Sequence, residues 1–378
     1  MKALRSWSLH LLLLLFRSCV SAWLSLNDCG RVGSIRQRTF SDDNGRFQST
    51  TNSDIDIPQT SHDSTFLSQV EDTVSNVLNH YGRENVETSD LVLSLNPPER
   101  ESFGVARCLD TRLQSFRRNK DCPRCWLQRA HCICDQCPPL MIQEESVIRR
   151  IFLLMHHKEI CLAVDTAKLI LACFPHHCRL VVAGIGPEYQ SSMKELQEAI
   201  HQPNCLVLFP SEDAQTFADI LASNSKQQQN EKREGIGSDG SVRWDLIVID
   251  GTWSQAQKIH KRYFPPTEKG GPQRVQLSST SLLPLHNSHN AGHQQLRRHP
   301  IDLRTISTME ATRLLLKEIL GETAASTGDG TTSVWDTMLH YQKISNEAAQ
   351  RQLGPPRTKA TPDSQLPMQC RQPRIQPS

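Results

Sequence analysis

The sequence has almost no excess of charge of either sign. Its 42 Lys and Arg residues nearly balance 40 Asp and Glu residues, so the formal net charge at pH 7 is +2. Any contact with nucleic acid must therefore come from local basic patches rather than from the overall field of the protein. Hydrophobic residues are also few, at 37%, so a compact core must be accompanied by polar segments outside it. The chain is long enough for one or two domains.

The sequence also lacks the evenly spaced cysteine framework of a small secreted domain. Its 13 cysteines are an odd number, and five of them lie between Cys122 and Cys137. Most others sit in apolar runs such as "NCLVLF", where a cysteine behaves as a small buried hydrophobe. The chain has no internal repeat. The cluster between Cys122 and Cys137 is therefore the feature that needs a chemical explanation.

The N-terminal apolar run is too short for a membrane span, and Arg17 interrupts it. Lys2 and Arg5 precede this run, and the small residues Ser21 and Ala22 follow it. This order is typical of a secretory signal peptide. The next stretch, rich in arginine and poor in acid, resembles a transit peptide. This order resembles the two-part leader of algae with complex plastids, so we predict a leader over residues 1–50 and a plastid location. A mitochondrial leader, plain secretion and an uncleaved tail are the alternatives. We expect no membrane span in the mature chain.

Short apolar runs alternate with helical patterns after the cysteine cluster. The predicted strands are residues 151–155, 179–184, 205–209, 245–250 and 274–278. The predicted helices are residues 160–173, 190–201, 211–223, 253–264, 307–320 and 334–349. Continuous apolar strands separated by helices indicate an α/β fold whose parallel sheet is covered on both faces.

Local composition divides the rest of the chain, after the leader, into three parts. Residues 51–106 form a predicted linker with one amphipathic helix. The motif "NPPERES" is expected to separate this helix from the residues that follow. Residues 107–349 form the predicted domain, in which a cysteine-rich segment (107–140) precedes an α/β catalytic part (150–349). The tail from residue 350 to 378 is rich in Pro, Gln and Arg, and we predict that it is disordered.

The cysteine cluster has the spacing of a metal site. The thiolates of Cys122 and Cys125 can converge on one ion from a tight turn, and Cys132 and Cys134 can complete a tetrahedral site that suits Zn²⁺. Cys137 is the predicted spare residue. Disulfides and a redox or catalytic thiol are the alternatives, but no adjacent His-Asp arrangement argues for a nucleophile. We predict structural zinc that holds a short segment without a core of its own.

The same segment is basic. Residues 107–131 carry seven Lys and Arg residues against two Asp residues, a local excess of five positive charges. Such a segment can bind RNA phosphates, and a solvated basic surface is the alternative. The predicted RNA-binding residues are Arg117, Arg118, Lys120 and Arg124.

A second group of polar residues follows the strand predicted at 245–250. Asp250 ends this strand, Gly251 allows a tight turn, and Thr252 can cap the helix that begins near Trp253. Ligands of open α/β sheets bind beyond the carboxyl ends of the strands. This segment is therefore a candidate site, although an Asp in a turn and a Trp in the core would be a purely structural alternative.

Polar residues also flank two other elements. Ser307, with Glu310 three residues later, fits a capping box at the start of a helix. His156 and Glu159 follow the strand predicted at 151–155 and can face a cleft, although a lone His in such a place is more often structural.

These motifs together resemble the DTW-domain family over about residues 107–349. In chain order they are "CPRCWLQRAHCIC", "LLMHHKE", "DTAKL", "LFPSEDA", "DGTWSQAQK", "LRRHP" and "ISTMEA". The family often has His-Pro-Arg-Glu where this chain has His156-His157-Lys158-Glu159, so the polar ends of the motif are kept and its proline is lost. The resemblance implies an α/β fold related to the SPOUT methyltransferases, with a parallel sheet and a C-terminal knot.

The resemblance further implies a tRNA-uridine aminocarboxypropyltransferase. Such enzymes move the 3-amino-3-carboxypropyl group of S-adenosylmethionine to N3 of a tRNA uridine and release methylthioadenosine. A SPOUT-type RNA methyltransferase and a non-catalytic zinc-ribbon RNA-binding protein are the alternatives. The motifs allow a homo-oligomer but do not require one.

Within this mechanism we predict Asp250 as the base that removes the N3 proton. Thr252 and Trp253 are the other predicted catalytic residues, and Trp253 can stack on adenine or on the target base, or pack beneath the loop. The predicted residues for binding S-adenosylmethionine are His156, Glu159, Arg297, Ser307, Thr308 and Glu310.

Overall fold

Five parallel β-strands form the centre of the fold. The computed structural model of the protein describes residues 65–82, 88–140, 147–224, 243–267, 270–282, 306–321 and 333–354. The strands are β1 (Ile148–His156), β2 (Cys178–Ala183), β3 (Cys205–Leu208), β4 (Trp244–Asp250) and β5 (Gln273–Val275). Their spatial order is β2-β1-β4-β3-β5, and every neighbouring pair is parallel. Strand β4, in which every residue is buried, therefore lies at the centre of the sheet.

Helices precede the sheet and cover both of its faces. They are α1 (Thr65–Tyr81), α2 (Thr88–Ser94), α3 (Pro97–Arg118), α4 (Lys168–Cys173), α5 (Ser191–Ile200), α6 (Trp253–Tyr263), α7 (Thr308–Leu320) and α8 (Val334–Leu353). Residues 217–224 are also helical. Two short 3₁₀ turns, Arg129–His131 and Cys134–Gln136, lie in the cysteine-rich segment.

Alternation along β1 shows how the core is divided. Ile151, Leu153 and Met155 belong to the larger apolar cluster, which includes residues of α1, α3, α4, α7 and α8. Phe152 and Leu154 belong to a second cluster on the opposite face, with residues of α5 and α6. Because successive strand residues point to opposite faces, the continuous apolar runs of the sequence are those of a sheet buried on both sides.

The predicted parallel α/β architecture is confirmed, and each predicted strand has a counterpart. Two helices begin later than predicted. Residues 160–167 form turns, so α4 begins only at Lys168, and the helix predicted over 211–223 begins at residue 217.

The interpretation of "NPPERES" as a break was wrong in one respect. Asn96 and Glu99 form a capping box, and the two prolines occupy the first positions of the 22-residue helix α3, where proline is well tolerated. The predicted linker therefore holds more than one helix, and its boundary at residue 107 falls within α3.

Other predictions lie outside the described residues: the leader over 1–50, most of the tail, and the path between residues 282 and 306, on which a knot depends. In the part of the chain that the structure covers, no helix is both long enough and apolar enough to cross a membrane.

Helix α1 is expected to contribute to the stability of the whole domain, because Val70, Val74 and Val77 are buried in the larger core. Val74→Ala removes two methyl groups from a side chain that is only 1% exposed, so the free energy of unfolding should fall by about 2 kcal/mol. Chemical denaturation measures it. The matched surface variant Asn79→Ala should change it by less than about 0.5 kcal/mol. Equal stability of both variants would show that α1 is not integral to the fold.

Candidate active site

Asp250 ends the central strand and is almost completely buried. It is 5% exposed, and its Oδ1 accepts a hydrogen bond from Thr308 Oγ1 at 2.7 Å. Thr308 is the first residue of α7, so this bond joins the carboxyl end of β4 to the amino end of α7. The positive end of a helix dipole favours a nearby negative charge. This bond brings the "DGTW" and "ISTMEA" motifs together.

The turn after Asp250 depends on Gly251. Its φ of +154° and the space around it exclude a larger residue, because an added Cβ would lie 3.2 Å from Gln255 Cβ and 3.4 Å from His156 Cβ. Thr252 then caps α6 as predicted: its hydroxyl accepts from Gln255 N at 3.4 Å, and Gln255 Oε1 accepts from Thr252 N at 2.7 Å. The Thr252 hydroxyl is thus engaged at the helix start.

His156 and Glu159 lie beside Asp250, because β1 pairs with β4 so that Met155 is opposite Asp250. His156 Nδ1 accepts from Lys158 N at 3.2 Å, and its ring stacks on that of His157 with centroids 4.3 Å apart. Burial lowers the pKa of both imidazoles, that of His157 to about 3. Both rings are therefore neutral near pH 7. Glu159 is buried, with 4% exposure.

Asp165 is a site residue that the motif analysis did not identify. It is 5% exposed, its Oδ1 accepts from Ala167 N at 2.8 Å, and its Oδ2 has no hydrogen-bond partner among the described residues. Burial first, and then the charge of Asp250, raises the pKa of Asp165 well above its ordinary value. Two neighbouring buried carboxyls cannot both ionise at low cost. A protonated Asp165 leaves Asp250 as the carboxylate of the pair.

Lys168 was also missed, and it connects the acidic pair with the cysteine cluster. Its side chain is fully buried, and its Nζ donates to Ala163 O at 2.7 Å. Burial lowers the pKa of Lys168 to about 8, while the charges of Asp165 and of nearby thiols, including Cys125, act in the opposite direction. The motif "DTAKL" carried the signal, since an aspartate and a lysine three residues apart enter a buried helix there.

The other predicted residues of α7 hold the helix in place. Ser307 Oγ accepts from Glu310 N at 3.2 Å and from Gln342 Nε2 at 3.1 Å, which confirms the cap. The Glu310 carboxylate does not complete a capping box. It forms a two-point ion pair with Arg313, at 2.7 and 3.0 Å. Of the three predicted residues in this motif, Thr308 is the one that bonds Asp250.

Four cysteines converge in the segment before β1. The sulfur atoms of Cys122, Cys125, Cys132 and Cys134 all lie within 4.8 Å of one another, so the cluster can hold a metal ion. The separations Cys122–Cys134 and Cys125–Cys132 are 3.5 and 3.8 Å, well beyond the roughly 2.05 Å of a disulfide bond. Cys137, the predicted spare, lies outside this set, and burial raises its pKa to about 11.

The segment that carries the cluster is not without a core, contrary to expectation. Trp126, Leu127 and Ile133 are at most 3% exposed and belong to the larger apolar cluster of the domain. Arg124 donates to Cys137 O at 2.7 Å, which ties two ends of the segment together. The cysteines thus fix a segment that is packed on the main core.

The four predicted RNA-binding residues differ in their surroundings. Arg117 forms an ion pair with Glu71, at 2.8 Å, and Arg124 donates to the backbone inside the cysteine-rich segment. Arg118 and Lys120 are exposed at the end of α3. Arg297 lies outside the described residues.

The fold places the protein among the α/β proteins with a parallel sheet. Two buried aspartates lie where the strands end, and the preceding segment carries a four-cysteine cluster. A family model described as "DTW domain" matches residues 119–343. Because this match covers more than half of the chain, the protein belongs to the DTW-domain family.

Three curated relatives share the printed name tRNA-uridine aminocarboxypropyltransferase 2. The protein of Macaca fascicularis is 23% identical over 219 residues, which are 58% of this chain and 62% of the relative. That of Drosophila melanogaster is 28% identical over 145 residues, 38% and 49% of the two chains. That of Mus musculus is 22% identical over 169 residues, 44% and 49%. The chain thus spans less than two thirds of the length of these relatives. No solved structure matches it significantly.

Asp165→Asn is expected to stabilise the protein at neutral pH. Asn keeps an oxygen for Ala167 N but removes a group whose raised pKa makes its ionised form unfavourable. The free energy of unfolding should rise by about 1–3 kcal/mol at pH 7. The gain should shrink as the pH falls and vanish below about 3, where the carboxyl is protonated in both the folded and the unfolded state. Denaturation at the two pH values tests this, with the exposed Asp72→Asn as control. A destabilised variant at pH 7 would show that Asp165 is ionised and needed as an anion.

Proposed function

We propose that the protein transfers the 3-amino-3-carboxypropyl group of S-adenosylmethionine to N3 of a uridine in tRNA. Family membership and the names of the three relatives support this proposal. The observation that carries it is the buried carboxyl of Asp250, which Thr308 orients at the carboxyl edge of the sheet, where α/β enzymes bind their ligands.

Asp250 has the chemistry that the acceptor requires. Uridine N3 carries a weakly acidic proton and is a poor nucleophile while protonated, so a carboxylate within hydrogen-bond reach can accept that proton. The N3 lone pair then forms a bond to the methylene carbon beside the sulfonium, the carbon–sulfur bond breaks, and methylthioadenosine leaves with the electron pair. The protein's main task is to orient the two reactants.

The residues around Asp250 fit a cationic donor. S-adenosylmethionine supplies a sulfonium leaving group and carries an ammonium group. Glu159, Asp165 and Asp250 provide buried carboxyls close to one another. We assign the donor to this acidic edge, with His156, Glu159 and Thr308 closest to it. Ser307 and Glu310 would act by fixing α7, and Arg297 remains a predicted partner of the donor carboxylate.

We assign Zn²⁺ to the four-cysteine cluster. Four converging thiolates are the ligand set of a closed structural zinc site, and the sulfur separations of at most 4.8 Å allow one ion to contact all four. Lys168 and Arg124 link this segment to the loop and helix beside Asp250. The ion would therefore stabilise the wall of the active site and take no part in the chemistry.

Two wider predictions belong with this function. We propose a SPOUT-like fold with a C-terminal knot, which the parallel sheet and the return of α7 to the end of β4 support. We place the enzyme in a plastid on the character of its leader alone.

Replacing Asp250 is expected to abolish transfer. Asp250→Asn keeps the shape and can still bond Thr308, but it cannot accept the N3 proton. The rate of modification should fall at least about 100-fold. Mass spectrometry of tRNA nucleosides and of the adenosine by-product measures it. The control is Asp336→Asn on the exposed face of α8. Unchanged modification would refute the base assignment, and S-adenosylhomocysteine as by-product would identify a methyltransferase instead.

The metal assignment predicts a clear difference between neighbouring cysteines. Purified protein should contain one zinc ion per chain, and Cys132→Ser should lose most of it, because one of four thiolates is removed. Cys137→Ser should keep the full content, since Cys137 lies outside the converging set. Elemental analysis measures the content, and thermal denaturation should show that only the first variant is strongly destabilised. Equal zinc loss in both variants would contradict the assigned ligand set.

A further inference from the structure

Three aromatic rings form a parallel stack beyond the ends of β3 and β4. The ring of Phe209 lies 5.4 Å from that of Trp253 with an interplanar angle of 3°, and 4.1 Å from that of His260 with an angle of 9°. Phe209 directly follows β3, and Trp253 and His260 are two helical turns apart on α6. Residues seven positions apart lie on the same side of a helix. The Phe209 ring is therefore held between them.

The stack ends in an exposed ring. Phe209 is 7% exposed, whereas Trp253 keeps 37% of its surface accessible although Phe209 covers one face. Burial lowers the pKa of His260 to about 4, and its Nε2 has no hydrogen-bond partner in the part of the chain that is described. His260 is therefore a neutral supporting ring rather than an acid or base. The stack thus presents one flat aromatic face, that of Trp253, which is three positions after Asp250 in the sequence.

Exposed lysines lie on the same helix as Trp253 and in the loop after β1. Lys258 and Lys261 are exposed on α6, and Lys158 is exposed in the loop after β1. The charges of Lys158 and Lys258 both lower the pKa of His156, which places them around the same edge of the sheet as Asp250. The carboxyls at this edge, Asp165 and Glu159, are buried beneath it. The exposed groups of α6 and of the loop after β1 thus include lysines and Trp253, whereas the carboxyls of Asp165 and Glu159 are buried.

We propose that the outer face of Trp253 stacks on a nucleobase of a single-stranded RNA loop, with the exposed lysines of α6 and of the loop after β1 available to its phosphates. Flat aromatic faces flanked by cations are the usual means by which proteins hold unpaired bases. The inference deepens the proposed function, because it names the surface through which the RNA reaches Asp250. The adenine of the donor is the competing occupant, but its cationic portion belongs with the buried carboxyls rather than with an outer surface rich in lysine.

The test compares two oligonucleotides in the absence of donor. One is a short single-stranded oligouridylate, and the other has the same length and backbone but no bases. Trp253→Ala should weaken oligouridylate binding about tenfold and leave binding of the abasic strand unchanged. Trp253→Phe should retain most of the affinity. Leu93→Ala, which removes a 75% exposed apolar side chain from α2, should change neither. Quenching of tryptophan fluorescence by oligouridylate should be largely lost in Trp253→Phe, a readout that needs no destabilising variant.

Other outcomes would overturn the inference. An equal loss of affinity for both strands would show that Trp253 only supports the fold. Weaker binding of methylthioadenosine with unchanged binding of oligouridylate would assign the ring to the donor's adenine. Since these titrations need no turnover, a protein without transferase activity could still satisfy them, and an active enzyme could still fail them. The failure of the inference is therefore distinguishable from the failure of the proposed function.

Discussion

The buried carboxyl of Asp250 is the constraint on which the site depends. A charged group removed from water must be compensated by hydrogen bonds, nearby dipoles or a proton shared with a neighbour. The protein uses the Thr308 hydroxyl and the amino end of α7 on one side and a protonated Asp165 on the other. Each requires a separate element to arrive at the end of β4. The central position of that strand between β1 and β3 makes this convergence possible.

The same logic links the cysteine cluster to the site. The charges of Asp165 and of the thiols both act to raise the pKa of the buried Lys168, and Arg124 donates to the carbonyls of Cys137 and Ala172. The cysteine-rich segment also packs its apolar residues into the same core as α4. The cluster therefore supports the wall of the site, although none of its sulfur atoms is predicted to touch a substrate.

The sequence predicts those features that depend on local pattern. Continuous apolar runs identify the strands, and the residues after one of them identify Asp250, Gly251 and the Thr252 cap. It does not predict Asp165 or Lys168, because charged residues in a helical pattern resemble a solvated surface until tertiary packing buries them. Helix α3 was missed because two prolines resemble a break unless Asn96 and Glu99 are recognised as a cap. The ring stack joins Phe209 to residues more than 40 positions away, and no local pattern shows such a contact.

The buried carboxyls and the exposed lysines suit the two proposed reactants differently. A sulfonium donor gains from the interior carboxyls, whereas an RNA loop, as a polyanion, would be repelled by them and attracted by Lys158, Lys258 and Lys261. Phe209 anchors Trp253 at this surface, where under the proposed function a base could leave the RNA stack before it reaches Asp250. Asp250 is three residues from this ring and one hydrogen bond from α7. In the proposed reaction, Asp250 would accept the proton of the acceptor base, while the donor would be held so that N3 and the leaving sulfur lie in line with the methylene carbon.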